Sequence, residues 1–300
     1  MDLDGLTRLR AEFDALVDDV RPQLLRYCAR MTGSATDGED IVQEAMAKVY
    51  YQLPELGHVQ SLRAWLFRVA HNKSIDFLRR YDTRFGEPLE GELPVQVEES
   101  PLDAAEVAEW GLSYFAKLTA MQRSCVILKD VLAYTLEEIS EILDTSVPAI
   151  KGALHRGRSS LRRLAASVPE AGVTGMDTAQ VEQLGRYVAL FNARDFDGLR
   201  AMLAEDVRLE LVGRVQRSGA TDVGRYFDNY LRLERISIEV GVVDGRPAIL
   251  AREASGTPPS YCIVIGFRGG RIQHIRDYRY APHVLTEARW HGADDRRCEQ

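Results

Sequence analysis

The stretch TLEEISEILDTSVPAIKGALHRGRSSLRRL, Thr135 to Leu164, constrains this chain most, because it reads as two capped helices joined by a tight turn. Thr135 and Glu138 stand at capping-box spacing, and Leu136, Ile139, Ile142 and Leu143 fall on one face of the helix they open. Past the Asp144-Thr145 turn, Ser146 is placed to cap a second helix, with Pro148 in the first turn, where a missing N–H costs nothing. Val147, Ile150, Leu154, Leu161 and Leu164 then line one side of that helix. Ala149, Gly152, His155, Arg156, Ser159 and Arg163 point the other way, flanked by Lys151, Arg158 and Arg162. Small side chains near the N-terminal end let such a helix sit deep in a DNA major groove, and the cationic flanks suit phosphates. A basic amphipathic helix on a solvated surface is the competing reading, and the capped helix and turn before it tell against that. His155 stays open between a DNA contact and simple solvation.

With 45% hydrophobic and 28% charged residues, the 300-residue chain fits a soluble protein of two or three domains. A net charge of -7 excludes a polycation that coats nucleic acid, so any DNA contact comes from local patches. Charge is distributed accordingly: Ser146 to Leu164 holds five Lys/Arg and no Asp/Glu, whereas Arg84 to Glu109 holds one Arg against eight Asp/Glu. Cys28, Cys125, Cys262 and Cys298 are scattered, without metal or disulfide spacing, so no metal or cofactor is expected and a reducing cytoplasm is the default. The N-terminal segment carries Asp2, Asp4, Glu12 and Asp14 where a signal peptide needs an apolar run, and no membrane association is expected.

Along the chain, Phe13, Leu16, Val20 and Leu24 recur at helical spacing, and a second helix starts near Ser34 to Asp37. In SLRAWLFRVAHNKSIDFLRR, Leu62, Trp65, Leu66, Val69, Ile75 and Leu78 are apolar, and Trp65 reads as core. The other side presents Arg63, Arg68, His71, Asn72, Lys73, Asp76, Arg79 and Arg80. Thr83 to Ser100 has no helical period and reads as a flexible acidic tether; Ser167 to Asp177 breaks the pattern again. TAQVEQLGRYVALFNARDFDGLRAMLAEDV then gives two helices and ATDVGRYFDNYLRL a third. ISIEVGVVDG, RPAILARE, SYCIVIGFRGG and RIQHIRDYRYA read as strands with hairpin turns at Asp244-Gly245 and Gly269-Gly270. Helices followed by an antiparallel meander imply an α+β domain with helices on one face of a curved sheet.

The first 165 residues resemble the two-domain extracytoplasmic-function (group 4) sigma factors of bacterial RNA polymerase. GEDIVQEAMAKVY is similar to the helix with which such factors dock on core polymerase, and Asp40, Gln43, Glu44 and Lys48 match its docking positions. SLRAWLFRVAHNKSIDFLRR resembles the helix that melts and holds the -10 promoter element, which implies DNA contacts by Arg63, Arg68, Asn72, Lys73, Asp76, Arg79 and Arg80, with Gly57 to Ser61 as a base-capturing loop. VPAIKGALHRGRSSLRRL resembles the helix that reads the -35 element, which implies Ser146, Ala149, Lys151, Gly152, His155, Arg156, Arg158 and Arg162. Met176 to about Thr286 resembles a SnoaL-like domain, whose cone-shaped fold closes over a pocket. The candidate lining is Tyr187, Phe191, Tyr226, Tyr230, Tyr261, His274, Arg276, Asp277 and Tyr278; ordinary core packing is the alternative for the tyrosines and Phe191, and a strand-end salt bridge for Asp277.

The expected fold is therefore multidomain: two all-α sigma domains, the second with the helix-turn-helix, followed by an α+β SnoaL-like domain with a curved sheet. The expected boundaries are 1–82 (region 2), 83–104 (linker), 105–166 (region 4), 167–176 (linker), 177–288 (SnoaL-like) and 289–300 (tail). The resemblance implies a sigma factor, not an enzyme, modulated in cis by its C-terminal domain, with core RNA polymerase, promoter DNA and a small-molecule ligand of the SnoaL-like domain as partners. Two alternatives stand beside it: a ligand-sensing helix-turn-helix regulator, and a cyclase or isomerase fused to a DNA-binding module.

Overall fold

The computed structural model describes residues 3–53, 61–85, 112–167, 178–231, 236–254 and 257–292. The chain divides into two compact units, Met1–Ala171 and Gly172–Gln300, each with its own core.

The first unit opens with α1 (Leu3–Thr32), α2 (Ala35–Gln52) and α3 (Leu62–Phe85). Gly33, at φ +78°, ends α1 in the left-handed conformation that glycine adopts without steric cost, and Ser34 caps α2 by accepting the Asp37 N–H. Gly38 then lets α2 cross α1 backbone to backbone: a Cβ there would lie 2.5 Å from the Ala29 nitrogen. The α4 turn (Leu112–Phe115) and α5 (Ala120–Val126), which Thr119 and Gln122 cap reciprocally, lead into a π-helical turn at Ile127–Val131. α6 (Leu136–Leu143) and α7 (Val147–Ser167) complete the unit.

The helices of the two expected sigma domains share one core. The Phe67 and Tyr134 rings meet edge to face at 5.3 Å, and the Tyr134 hydroxyl donates to Gln23 at 3.3 Å. Buried Arg123 of α5 donates to the carbonyls of Met31 at the end of α1, and of Ala116 and Leu118 after the α4 turn, so a cation satisfies buried backbone carbonyls near helix ends. α3 also runs to Phe85, past the expected boundary at residue 82. The rest of the expected acidic linker, the start of the expected region 4 and most of the base-capturing loop lie outside the described residues, as do most of the second linker and of the C-terminal tail.

The second unit comprises α8 (Thr178–Asn192), α9 (Phe196–Ala201), β1 (Leu203–Leu211), β2 (Val215–Ser218), α10 (Ala220–Gly224), α11 (Tyr226–Leu231), β3 (Ser237–Val243), β4 (Arg246–Arg252), β5 (Tyr261–Arg268), β6 (Arg271–Asp277), α12 (His283–Glu287) and β7 (Trp290–Gly292). The sheet runs β2-β1-β6-β5-β4-β3-β7 and is antiparallel except where β1 pairs β6, Leu209 opposite Ile275. Asp244 and Gly245 both take positive φ, 50° and 77°, as a two-residue hairpin turn requires. Two expectations are corrected. LAEDVRLEL is a strand, its Val207 and Leu209 buried while Arg208 is exposed, and the helical propensity of its Ala-Glu-Asp start masked that alternation. The single helix expected from ATDVGRYFDNYLRL is two short ones, α10 and α11, separated by Arg225.

Candidate functional site

The helix-turn-helix forms as its sequence implies. Thr135 and Glu138 cap α6 reciprocally, at 3.2 Å and 2.8 Å, and the hydrogen bonds from Thr135 hold the Glu138 carboxyl below its usual range. Asp144, at φ 50°, turns the chain, and Ser146 Oγ accepts the Ala149 N–H at the start of α7. Ile150, Ala153, Leu154 and Leu161 are buried, while Ala149, Lys151, His155, Arg156 and Arg163 are exposed; Gly152 and Arg162 are intermediate. Arg158 faces inward instead: its guanidinium takes both oxygens of Asp130, and that pairing raises its already high pKa. Gly157, which the sequence reading passed over, sets the depth of packing, since a Cβ there would lie 2.9 Å from the Val126 side chain.

On α3, Asn72, Asp76, Arg79 and Arg80 are exposed, and three other expected DNA-contacting cations hold protein partners. Arg63 pairs with Asp19 and donates to Gln23, Arg68 donates to the Glu141 carbonyl on α6, and Lys73 lies 2.6 Å from Glu44. His71, expected on the polar face, turns inward between Tyr27 and Ser124, its Nδ1 2.8 Å from the tyrosine hydroxyl, and burial pulls its pKa down to about 4. Trp65 is half-buried against the core.

On α2, Glu44 and Lys48 are exposed, Asp40 is half-buried, and Gln43 donates at 3.0 Å to Glu39. Glu39 is itself fully buried and paired with Arg21, so Gln43 is held by a network rooted in the core.

In the second unit, Asp277 is buried at the end of β6. Tyr226 and Tyr230 hydroxyls donate to its Oδ2 at 2.7 Å and 2.8 Å, and the Arg279 N–H donates to Oδ1 at 2.9 Å. The Tyr261 hydroxyl lies 3.3 Å from that of Tyr230, and buried Tyr187 has no hydrogen-bond partner for its hydroxyl among the described residues. Desolvation raises the Asp277 carboxyl above its usual range despite these donors. Phe191 packs on Tyr230 at 5.0 Å, so six of the nine expected pocket residues converge. His274, Arg276 and Tyr278 do not join them, because β6 alternates: Ile275 and Asp277 face the helices while Arg276 lies on the opposite face, bonded to Glu210 and stacked over Tyr278. Among the described residues, no group of three or more His, Cys, Asp or Glu is placed to hold a metal, and no helix is long and apolar enough to cross a membrane.

Three families match this chain in order: Sigma-70 region 2 over residues 16–84, Sigma-70, region 4 over 112–161, and the SnoaL-like domain over 184–283. Among similar proteins, the ECF RNA polymerase sigma factor SigG of Mycobacterium tuberculosis is 29% identical over 229 residues, 67% of this chain and 62% of SigG. SigJ, an ECF RNA polymerase sigma factor of the same organism, is 31% identical over 207 residues, 66% of this chain and 62% of SigJ. The crystal structure of SigJ aligns with a TM-score of 0.36 and 22% identity, covering 88% of this chain and 95% of that one. The chain thus spans under two thirds of the length of these two curated relatives, and it carries a Sigma-70 region 2, a Sigma-70 region 4 and a SnoaL-like domain, in that order.

Proposed function

We propose that the chain is an RNA polymerase sigma factor that selects promoters, and that its SnoaL-like domain modulates this activity in cis. The observation that carries the reading is the capped α6–α7 helix-turn-helix, with Ala149, Lys151, His155 and Arg156 outward, built into one unit with a Sigma-70 region 2. In this reading α7 enters the major groove at the -35 element and α3 holds the -10 strand. α2 docks on core polymerase through Asp40, Gln43, Glu44 and Lys48. Arg63, Arg68 and Lys73 exchange protein partners for phosphates as the promoter binds, so the packed unit is the resting form and DNA competes with it.

The SnoaL-like domain is joined through a short segment, which keeps the two units at high effective concentration, so weak contacts suffice to bias the sigma unit. The Asp277–Tyr226–Tyr230–Tyr261 cluster is the place where a small ligand would act. Removing residues after Val168 tests the cis role. The truncated protein should still bind core polymerase, with transcription altered up or down; equal transcription from both forms, with and without induction, contradicts it. Promoter selection with substitutions at Ala149, Gly152 and His155 tests the reading helix, because each should change the preferred -35 sequence while an Arg156 change weakens all promoters alike.

A further inference from the structure

We infer that Tyr51 is an aromatic anchor for core RNA polymerase, extending the docking face of α2 beyond the four polar positions matched above. The inference rests on the sigma-factor reading. On a helix, Asp40, Glu44, Ala47, Lys48 and Tyr51 fall within an arc of about 100°, with Tyr51 near its middle. The stripe is about 16 Å long at the ordinary helical rise. Glu44, Ala47, Lys48 and Tyr51 are all exposed, and Tyr51 is the most open large hydrophobic side chain among the described residues, at 79%.

A lone exposed aromatic on a protein surface is ordinary. Tyr51 differs in standing on an aromatic neighbour that is itself packed. Its ring meets Tyr50 edge to face at 6.2 Å, and Tyr50 is fixed in turn by the Phe13 ring at 6.1 Å and by the Arg10 guanidinium 5.4 Å over its face. A tyrosine, with few rotatable bonds to immobilise and a large ring, is among the residue types that dominate binding energy at protein interfaces. The face fits a partner of definite chemistry: a flat contact against Ala47, an acidic group opposite exposed Lys48, and an apolar socket with a hydrogen-bond acceptor for the Tyr51 ring and hydroxyl.

The test is equilibrium binding of the full chain to purified core polymerase. Tyr51→Ala should weaken binding about tenfold or more, and Tyr51→Phe, which keeps the ring, should stay within about threefold of wild type. Helical signal and thermal midpoint should be unchanged in both. Wild-type affinity of Tyr51→Ala for core polymerase overturns the inference, as does a loss seen only in promoter DNA binding by preformed holoenzyme or only in self-association of the chain. An Asp40→Ala, Gln43→Ala double variant run alongside separates the two levels: if it loses core binding while Tyr51→Ala does not, the anchor fails and the docking reading stands. If neither loses binding, both fail.

Discussion

Arg158 Nε and Nη2 close on the two carboxylate oxygens of Asp130 at 2.9 Å and 2.5 Å, tying α7 to the π-helical turn that precedes the helix-turn-helix. Asp130 is 8% exposed in its side chain, so removing the arginine strands a carboxylate that water reaches poorly. Arg158→Ala should therefore lower the stability of the first unit by about 1–3 kcal/mol, and Arg158→Lys should recover only part of it, because an ammonium cannot span both oxygens. The salt dependence of DNA affinity should barely change in Arg158→Ala, whereas Arg156→Ala should flatten its log–log slope by about 1. Thermal unfolding together with a salt titration of promoter binding checks both; a slope change at Arg158 matching that at Arg156 would place it on phosphate.

His71 makes the first unit sensitive to acid. Its pKa is about 4 in the fold against an ordinary 6.5, so the unfolded chain takes up a proton first as the pH drops. The stabilisation from keeping this ring neutral is fully present above pH 6.5 and is lost as pH falls to about 4, by roughly 3 kcal/mol at most. Amide-exchange protection of α3, followed across this range, should fall in the wild type and stay nearly flat in His71→Gln. A parallel decline in both proteins would assign the acid sensitivity elsewhere.

Lys73 and Glu44 link α3 to α2 through one ion pair, 2.6 Å long and largely exposed on the Glu44 side. Such pairs contribute about 0.2–1 kcal/mol, so releasing Lys73 should improve its availability to phosphate by a few-fold at most. Glu44→Gln should raise the affinity of the full chain for a single-stranded -10 oligonucleotide about two- to threefold at low salt, and added salt should erase the gain. Fluorescence anisotropy reads this directly; an unchanged or weaker affinity would separate the pair from DNA binding.

The helix-turn-helix was legible in the sequence because everything that defines it is local: a capping box, a left-handed Asp144, a Ser146 cap and one apolar stripe. The inward turn of Arg158 and of His71 was not, since their partners, Asp130, Tyr27 and Ser124, lie 28 to 53 residues away and only the packed core brings them together. The shared core of regions 2 and 4 escaped for the same reason, because Phe67 and Tyr134 meet across the acidic segment. At the Asp277 cluster, residue type found the tyrosines and the carboxylate, but strand alternation, readable in β6 itself, sends Arg276 to the other face. Nothing in the sequence singles out Tyr51, because only its exposure in the fold, 79%, sets it apart from the other tyrosines.

Run-off transcription from a selected promoter, with purified core polymerase, this chain and no other sigma factor, tests the central claim most directly. The account predicts a discrete transcript that requires the chain, is abolished by the Asp40→Ala, Gln43→Ala double variant, and shifts in promoter preference with changes at Ala149 or His155. Transcripts that appear only when another sigma factor is supplied, with this chain merely raising or lowering them, would contradict it and leave a DNA-binding regulator in its place.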